Sequence, residues 1–245
     1  MNFEKIDRLA AELKQMRPLN ETELKRLQEE FIIENTYDSN AIEGNTLTLR
    51  ETALVLEGVT IGEKPLKDHL EAIGHKEAFG YVMELAAANT PLSESVIKDI
   101  HALVLMNDRE NKGKYRSVPV RISGAQHVPP QPYLIAQQME TLLAEYADRK
   151  EHKHIIEAIA EFHLRFESIH PFIDGNGRTG RLILNLELIK AGLLPVNVKF
   201  SDRRKYYAAF DSFHGEAHTA ADMAELIAGY EAAELEKRLA ILRGQ

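Results

Sequence analysis

The chain has 245 residues, 44% of them hydrophobic and 28% charged, which is enough for one large domain, or a domain with an accessory region, around a real core. Its net charge of -8 argues against a broad electrostatic footprint for nucleic acid, and the lack of cysteine excludes disulfides, a thiol nucleophile and cysteine-bound zinc. No apolar run approaches the roughly 20 residues of a membrane span, and the amphipathic N-terminal stretch MNFEKIDRLAAELKQM lacks a signal-peptide core, so a cytoplasmic protein is expected.

Helical periodicity dominates the chain. Asn20 opens NETE with Glu23 three residues on, a capping-box pattern. Leu24, Leu27 and Phe31 follow at helical spacing, which predicts a helix reaching Glu43 and stopping at Gly44. Thr48 and Glu51 repeat the capping signature, and Gly58 closes that short helix. Residues 66–88 read as a further helix, and Ser93 caps the next, which contains Val96, Ile97, Ile100, Leu103 and Val104.

The segment 114–132, KYRSVPVRISGAQHVPPQP, differs. Val118, Val120 and Ile122 alternate with polar or proline positions and Gly124 supplies a turn, so a small surface β-hairpin is predicted, with Pro119 keeping it out of a sheet interior. Helix returns over 133–149. In HIIEAIAEFHLRFESIH, Ile155, Ile159, Phe162, Phe166 and Ile169 recur at steps of four and three. The stretch RLILNLELIKAGLLP is apolar on nearly every side and belongs in the middle of a bundle. From Asp202 onward the chain is helical again. The fold class is therefore all-α with one small hairpin.

Between the last two core helices lies HPFIDGNGRTGR, residues 170–181. Gly175, Asn176 and Gly177 fall at the start of the buried helix, where backbone N–H groups lack internal partners and the dipole end is positive, an anion site. Arg178 and Arg181, three apart, share a helix face and suit a polyphosphate. Asp174 can hold Mg²⁺, which keeps most of its waters, and His170 can serve as a neutral base. GNGRTG also matches the dinucleotide fingerprint G-x-G-x-x-G, but the helical residues before it are not the strand that fingerprint needs. A plain turn does not need two arginines and an aspartate.

HPFIDGNGR with a second arginine three residues on resembles the signature of the Fic family, HPFx(D/E)GNGRxxR, without departure from His170 to Arg181. The segment 113–132 and the pair Tyr206–Tyr207 are also similar, so the resemblance covers roughly residues 35–230. It implies a Fic-type helical bundle that transfers AMP from ATP, with Mg²⁺, to a Ser, Thr or Tyr hydroxyl of a target protein. His170 would take the hydroxyl proton, Asp174 would hold the metal, Gly175, Asn176 and Gly177 would cradle phosphate, and Arg178 and Arg181 would clamp the outer phosphates. Tyr206 and Tyr207 would lie beside the base. Seven residues after Tyr207, some relatives carry an asparagine that contacts adenine; here the residue is His214. Val118, Val120 and Ile122 resemble the family's flap, which would hold a target segment as an added strand.

Residues 39–45 read SNAIEGN and fit the family's inhibitory pattern (S/T)xxxE(G/N) with Ser39, Glu43 and Gly44. The resemblance implies that Glu43 pairs with Arg181 and withdraws it from the γ-phosphate. It also implies a division into an N-terminal helical region at 1–90, a catalytic core at 91–230 and the end of a C-terminal helix at 231–245. Three rivals stand beside AMP transfer: removal of AMP with Glu43 positioning water, a nucleotide-sensing module without turnover, and phosphate transfer as in Doc-like relatives, which the intact GNGR disfavours. The expected partner is an unidentified protein, the chain itself and a homodimer both being left open. Nucleic acid and membrane are not expected as partners, since a charged helix stands where some relatives append a DNA-binding domain. His152 and His154 read as a solvated face, His101 and His163 as satisfied helix residues, and His127 carries no role.

Overall fold

The protein is described from a computed structural model covering residues 3–122, 124, 127–216 and 218–244. Its helices in chain order are α1 (Glu4–Gln15), α2 (Glu21–Ile42), α3 (Leu49–Leu56), α4 (Leu66–Ala87), α5 (Glu94–Val104), α6 (Ile135–His152), α7 (Ile155–Ile169), α8 (Asn176–Lys190), α9 (Arg203–His214) and α10 (Ala221–Arg243). The all-α class expected from periodicity holds.

Local chemistry sets the ends. Asn20 accepts from Glu23 N while the Glu23 carboxylate accepts from Asn20 N, and Thr48 and Glu51 repeat this reciprocal bond at α3. Ser93 accepts from Val96 N at the start of α5. Helix α2 ends at Ile42, with Glu43 at its C-cap and Gly44 just beyond.

Helix α8 is the axis of the bundle. Leu182, Ile183, Leu184, Leu186 and Leu188 are all buried, so every face needs a neighbour. Helices α4, α7, α5 and the end of α2 supply those faces, while α6 packs on α7 and α10 covers α7, α9 and α1. The main apolar cluster is continuous from Phe3 and Ile6 in α1 through Phe166 and Phe172 to Leu235 in α10. The last turn of α2 is held by Asp38, whose carboxylate accepts from Phe200 N and Asn197 Nδ2.

The expected hairpin is not formed. Among the described residues there is no strand, and Val118, Val120 and Ile122 run through irregular chain; Ser123, Ala125 and Gln126 lie outside the described residues. Pro119, Pro129 and Pro130 bring no N–H to a ladder. Arg116 holds the segment instead, donating from Nη1 to Val118 O and from Nη2 to Pro130 O.

His154, expected on a solvated face, accepts from Ile156 N at the start of α7 and stacks on Phe3 at 4.1 Å. The C-terminal helix is thus not the only element that fixes α1 to the core.

Candidate active site

Helix α7 ends at His170, which adopts φ 49° and ψ 59°. Histidine, with asparagine and aspartate, is among the non-glycine residues that enter this left-handed region, and here neighbouring groups help hold it there. Arg116 supplies part of that constraint: its Nε donates to His170 O at 2.8 Å. Burial pushes the imidazole pKa down; the carbonyl of Glu167 acts against this and Arg116 adds to it. The ring is accordingly neutral at pH 7.

The loop from 171 to 175 is closed from within. Asn176 accepts from Phe172 N and donates to Phe172 O, both at 2.9 Å, and its side chain is buried. The amide therefore shapes the cradle, leaving the backbone of the first turn to face a ligand. Gly175 is the N-cap of α8 with φ 76°, a conformation that favours glycine. His101, on α5, accepts from Gly113 N through Nδ1, so Nε2 carries the proton and donates to Asp174 O at 2.9 Å. Its ring also stacks on Phe172 at 3.6 Å, and burial lowers its pKa to about 4, which keeps that tautomer neutral.

Both arginines of the helix tip are paired inside the protein. Arg181 donates from Nε to Ser39 Oγ at 3.0 Å, and from Nη2 to Ser39 O and Glu43 Oε1, both at 2.8 Å. The inhibitory pattern and the signature, far apart in sequence, thus meet at one guanidinium. Arg178 is buried and lies 3.1 Å from Glu71 Oε1 and 3.2 Å from Asp174 Oδ1. The Asp174 side chain is half-exposed; its Oδ1 also accepts from Gly175 N, and its Oδ2 lies 3.9 Å from Lys67 Nζ. A half-exposed carboxylate beside a helix tip fits a hydrated magnesium ion, which needs only one or two protein oxygens.

Tyr206 and Tyr207 separate in role. Tyr206 is buried, its hydroxyl 2.8 Å from His163 Nε2 and 3.4 Å from Arg181 Nη1, so it braces the arginine. Tyr207 is 45% exposed and donates to Ile42 O at the end of α2. His214 donates to Ser168 Oγ, because that hydroxyl spends its proton on Leu164 O, and stacks at 3.9 Å on His127. His127 in turn donates to Ser168 O. Val118 is 49% exposed.

Sequence reading did not find Arg116, Glu71, Glu167 or the brace role of His101. Glu167 is buried within α7; burial, and then the Glu43 carboxylate, push its pKa up to about 8. Each lies outside the signature and is brought in by packing, so residue spacing gives no sign of it.

A helix tip holding two arginines, a left-handed histidine ahead of it and a helix-borne glutamate laid across it define the class of protein. Residues 91–188 match the model of the Fic/DOC family, so the chain carries a domain of that family. It is 38% identical over 78% of its length to a protein adenylyltransferase Fic from Nematostella vectensis, and 34% identical over 75% to one from Drosophila persimilis. It spans 45% and 36% of those two proteins, less than half of either. Among solved structures it is similar to a Fic domain-containing signaling protein from Bacteroides thetaiotaomicron (27% identity, TM-score 0.89, covering 98% of this chain and 97% of that one). Fic-1 from C. elegans is also similar (27% identity, TM-score 0.87, covering 99% of this chain and 72% of that one).

Proposed function

We propose that this chain transfers AMP from ATP to a hydroxyl of a protein and that Glu43 restrains the reaction. The observation that carries the reading is the neutral, left-handed His170 set ahead of the α8 tip, with Arg181 held by Glu43 at 2.8 Å. The names of the similar curated proteins support adenylyl transfer.

In this reading the target oxygen attacks the α-phosphorus, the bond to the bridging oxygen of the β-phosphate breaks, and pyrophosphate leaves. His170 takes the hydroxyl proton. The backbone of Gly175 to Gly177 faces the phosphates, and Arg178 and Arg181 meet the outer ones. Magnesium bound at Asp174 would offset phosphate charge. Tyr207 packs on the base, and the exposed segment around Val118, Val120 and Ile122 receives the target chain. Glu43 must leave Arg181 before the γ-phosphate can take its place.

The test is AMP incorporation from labelled ATP. Glu43→Gly raises it, by about tenfold or more if one charge-assisted bond to a buried arginine is released. His170→Ala abolishes it while ATP still binds. A Glu43→Gly protein that labels neither itself nor any lysate protein counts against the reading. The placement of Glu43 at the phosphate cradle also supports a reverse reaction, in which that carboxylate orients water. Release of AMP from an adenylylated target, lost in Glu43→Gly, would reveal it.

A further inference from the structure

The second arginine of the helix tip has a glutamate of its own. Arg178 Nη1 lies 3.1 Å from Glu71 Oε1, with the two side chains 1% and 9% exposed, so the pair is shielded from water and from salt. Glu71 stands on α4, outside both the signature and the inhibitory pattern. The tip therefore presents two guanidinium groups with offset charges, Arg181 by Glu43 and Arg178 by Glu71 together with Asp174.

The two glutamates are also joined. Asn45, two residues beyond Glu43, donates from Nδ2 to Glu71 Oε2 at 2.9 Å and to Asp68 O at 3.1 Å. Next to it, Thr46 donates from N and from Oγ1 to the Asp68 carboxylate oxygen Oδ2, at 2.8 and 2.6 Å. The loop that carries Glu43 out of α2 is thus fastened to α4 at the side chain that neutralises Arg178.

We propose that Glu71 is a second inhibitory carboxylate: it offsets Arg178 against the outer phosphates of ATP and, through Asn45, couples Arg178 to the seating of Glu43. The inference rests on the reading of the tip as an ATP site. Glu71 acts through Arg178, so it is a positioning residue and not a catalytic one. Replacing Glu43 alone frees one arginine; the other stays paired until ATP draws it from Glu71. Glutamine at 71 removes the charge; with its one acceptor oxygen on Asn45, its NH2 faces Arg178 Nη1 and leaves that guanidinium without its acceptor there.

The test is calorimetric binding of magnesium ATP in a His170→Ala background, where turnover does not interfere. Binding is compared with and without Glu43→Gly, Glu71→Gln and both together. Glu71→Gln is expected to tighten Kd on the order of tenfold. The double variant is expected to fall short of the product of the single effects, because the two carboxylates share Asn45. With His170 intact and Glu43→Gly present, Glu71→Gln lowers KM for ATP more than it changes kcat, whereas a merely structural role would lower kcat and thermal stability together. Unchanged or weaker ATP binding in Glu71→Gln overturns the inference while leaving the ATP site standing, and strictly multiplicative effects overturn the coupling through Asn45. ATP binding by none of the variants, Glu43→Gly included, overturns both this inference and the proposed function.

Discussion

Glu43 and Gly177 occupy each other's space: a β-carbon on Gly177 would overlap Glu43 Oε1 and stand 3.0 Å from Arg181 Nη1. The bare backbone at 177 is what admits the carboxylate to the first turn of α8. A negative group there gains from the unpaired N–H groups and the positive end of the helix, as a phosphate would. Glu43 thus takes up an anion site as well as an arginine.

Gly177→Ala should therefore evict Glu43 without touching it. Loss of its bond to Arg181 releases about 1.5–3 kcal/mol of local stability, so amide exchange over 41–45 quickens while exchange within α8 does not. Hydrogen exchange with mass spectrometry reads this directly, and unchanged protection at 41–45 would show that Glu43 tolerates the methyl group.

Arg116→Ala removes bonds from one guanidinium to His170 O, Val118 O and Pro130 O, at 2.8, 3.0 and 2.7 Å. Leaving these part-buried carbonyls without their charged donor costs about 1–3 kcal/mol. The urea midpoint should fall accordingly, and transfer by a Glu43→Gly protein should fall further than stability alone explains, since His170 loses its backbone constraint. A fully active Arg116→Ala protein would break the link between this arginine and the base.

The pH dependence of transfer follows from His170. Burial lowers its pKa below the ordinary 6.5, so the neutral form predominates at pH 7 and the loss of rate on acidification sets in at lower pH than for a free imidazole. Activity declines only at lower pH, as the imidazole takes up a proton. Initial rates of Glu43→Gly between pH 5 and 8 on the working scale of histidine test this, and a midpoint above 6.5 would contradict it.

Glu167 gives stability the opposite slope. Its carboxyl pKa is raised from 4.5 to about 8 by burial and by Glu43, so between those values the folded protein holds a proton that the unfolded chain has lost. Stability contributed by the protonated group is present below pH 4.5 and is lost as pH rises to about 8. Glu167→Gln should flatten that decline, gaining on the parent protein most at pH 8 and above. Parallel melting curves of the two proteins across this range would exclude the effect.

Much of this was legible in the residues. The helix caps at Asn20, Thr48 and Ser93 act as their side chains predict, because capping is local. The meeting of Ser39 and Glu43 with Arg181 was legible through the resemblance alone, since nothing in spacing brings residues 142 and 138 positions apart together. The hairpin reading failed because alternation at Val118, Val120 and Ile122 was weighed without the prolines' missing donors or the reach of Arg116. Tyr206 appeared as a face for the base, yet its hydroxyl turns inward to His163 and Arg181. Glu71 and Glu167 gave no sign at all, because a helical glutamate is ordinarily a surface residue and only packing reveals the buried ones.

Arg116 links two parts of the molecule that have different tasks. Its two terminal nitrogens hold the carbonyls of Val118 and Pro130, and its Nε holds the turn at His170. Under the proposed function, a target chain held at Val118 would share one guanidinium anchor with the turn that carries the base, so a single side chain would set both the floor of the recognition surface and the posture of the imidazole.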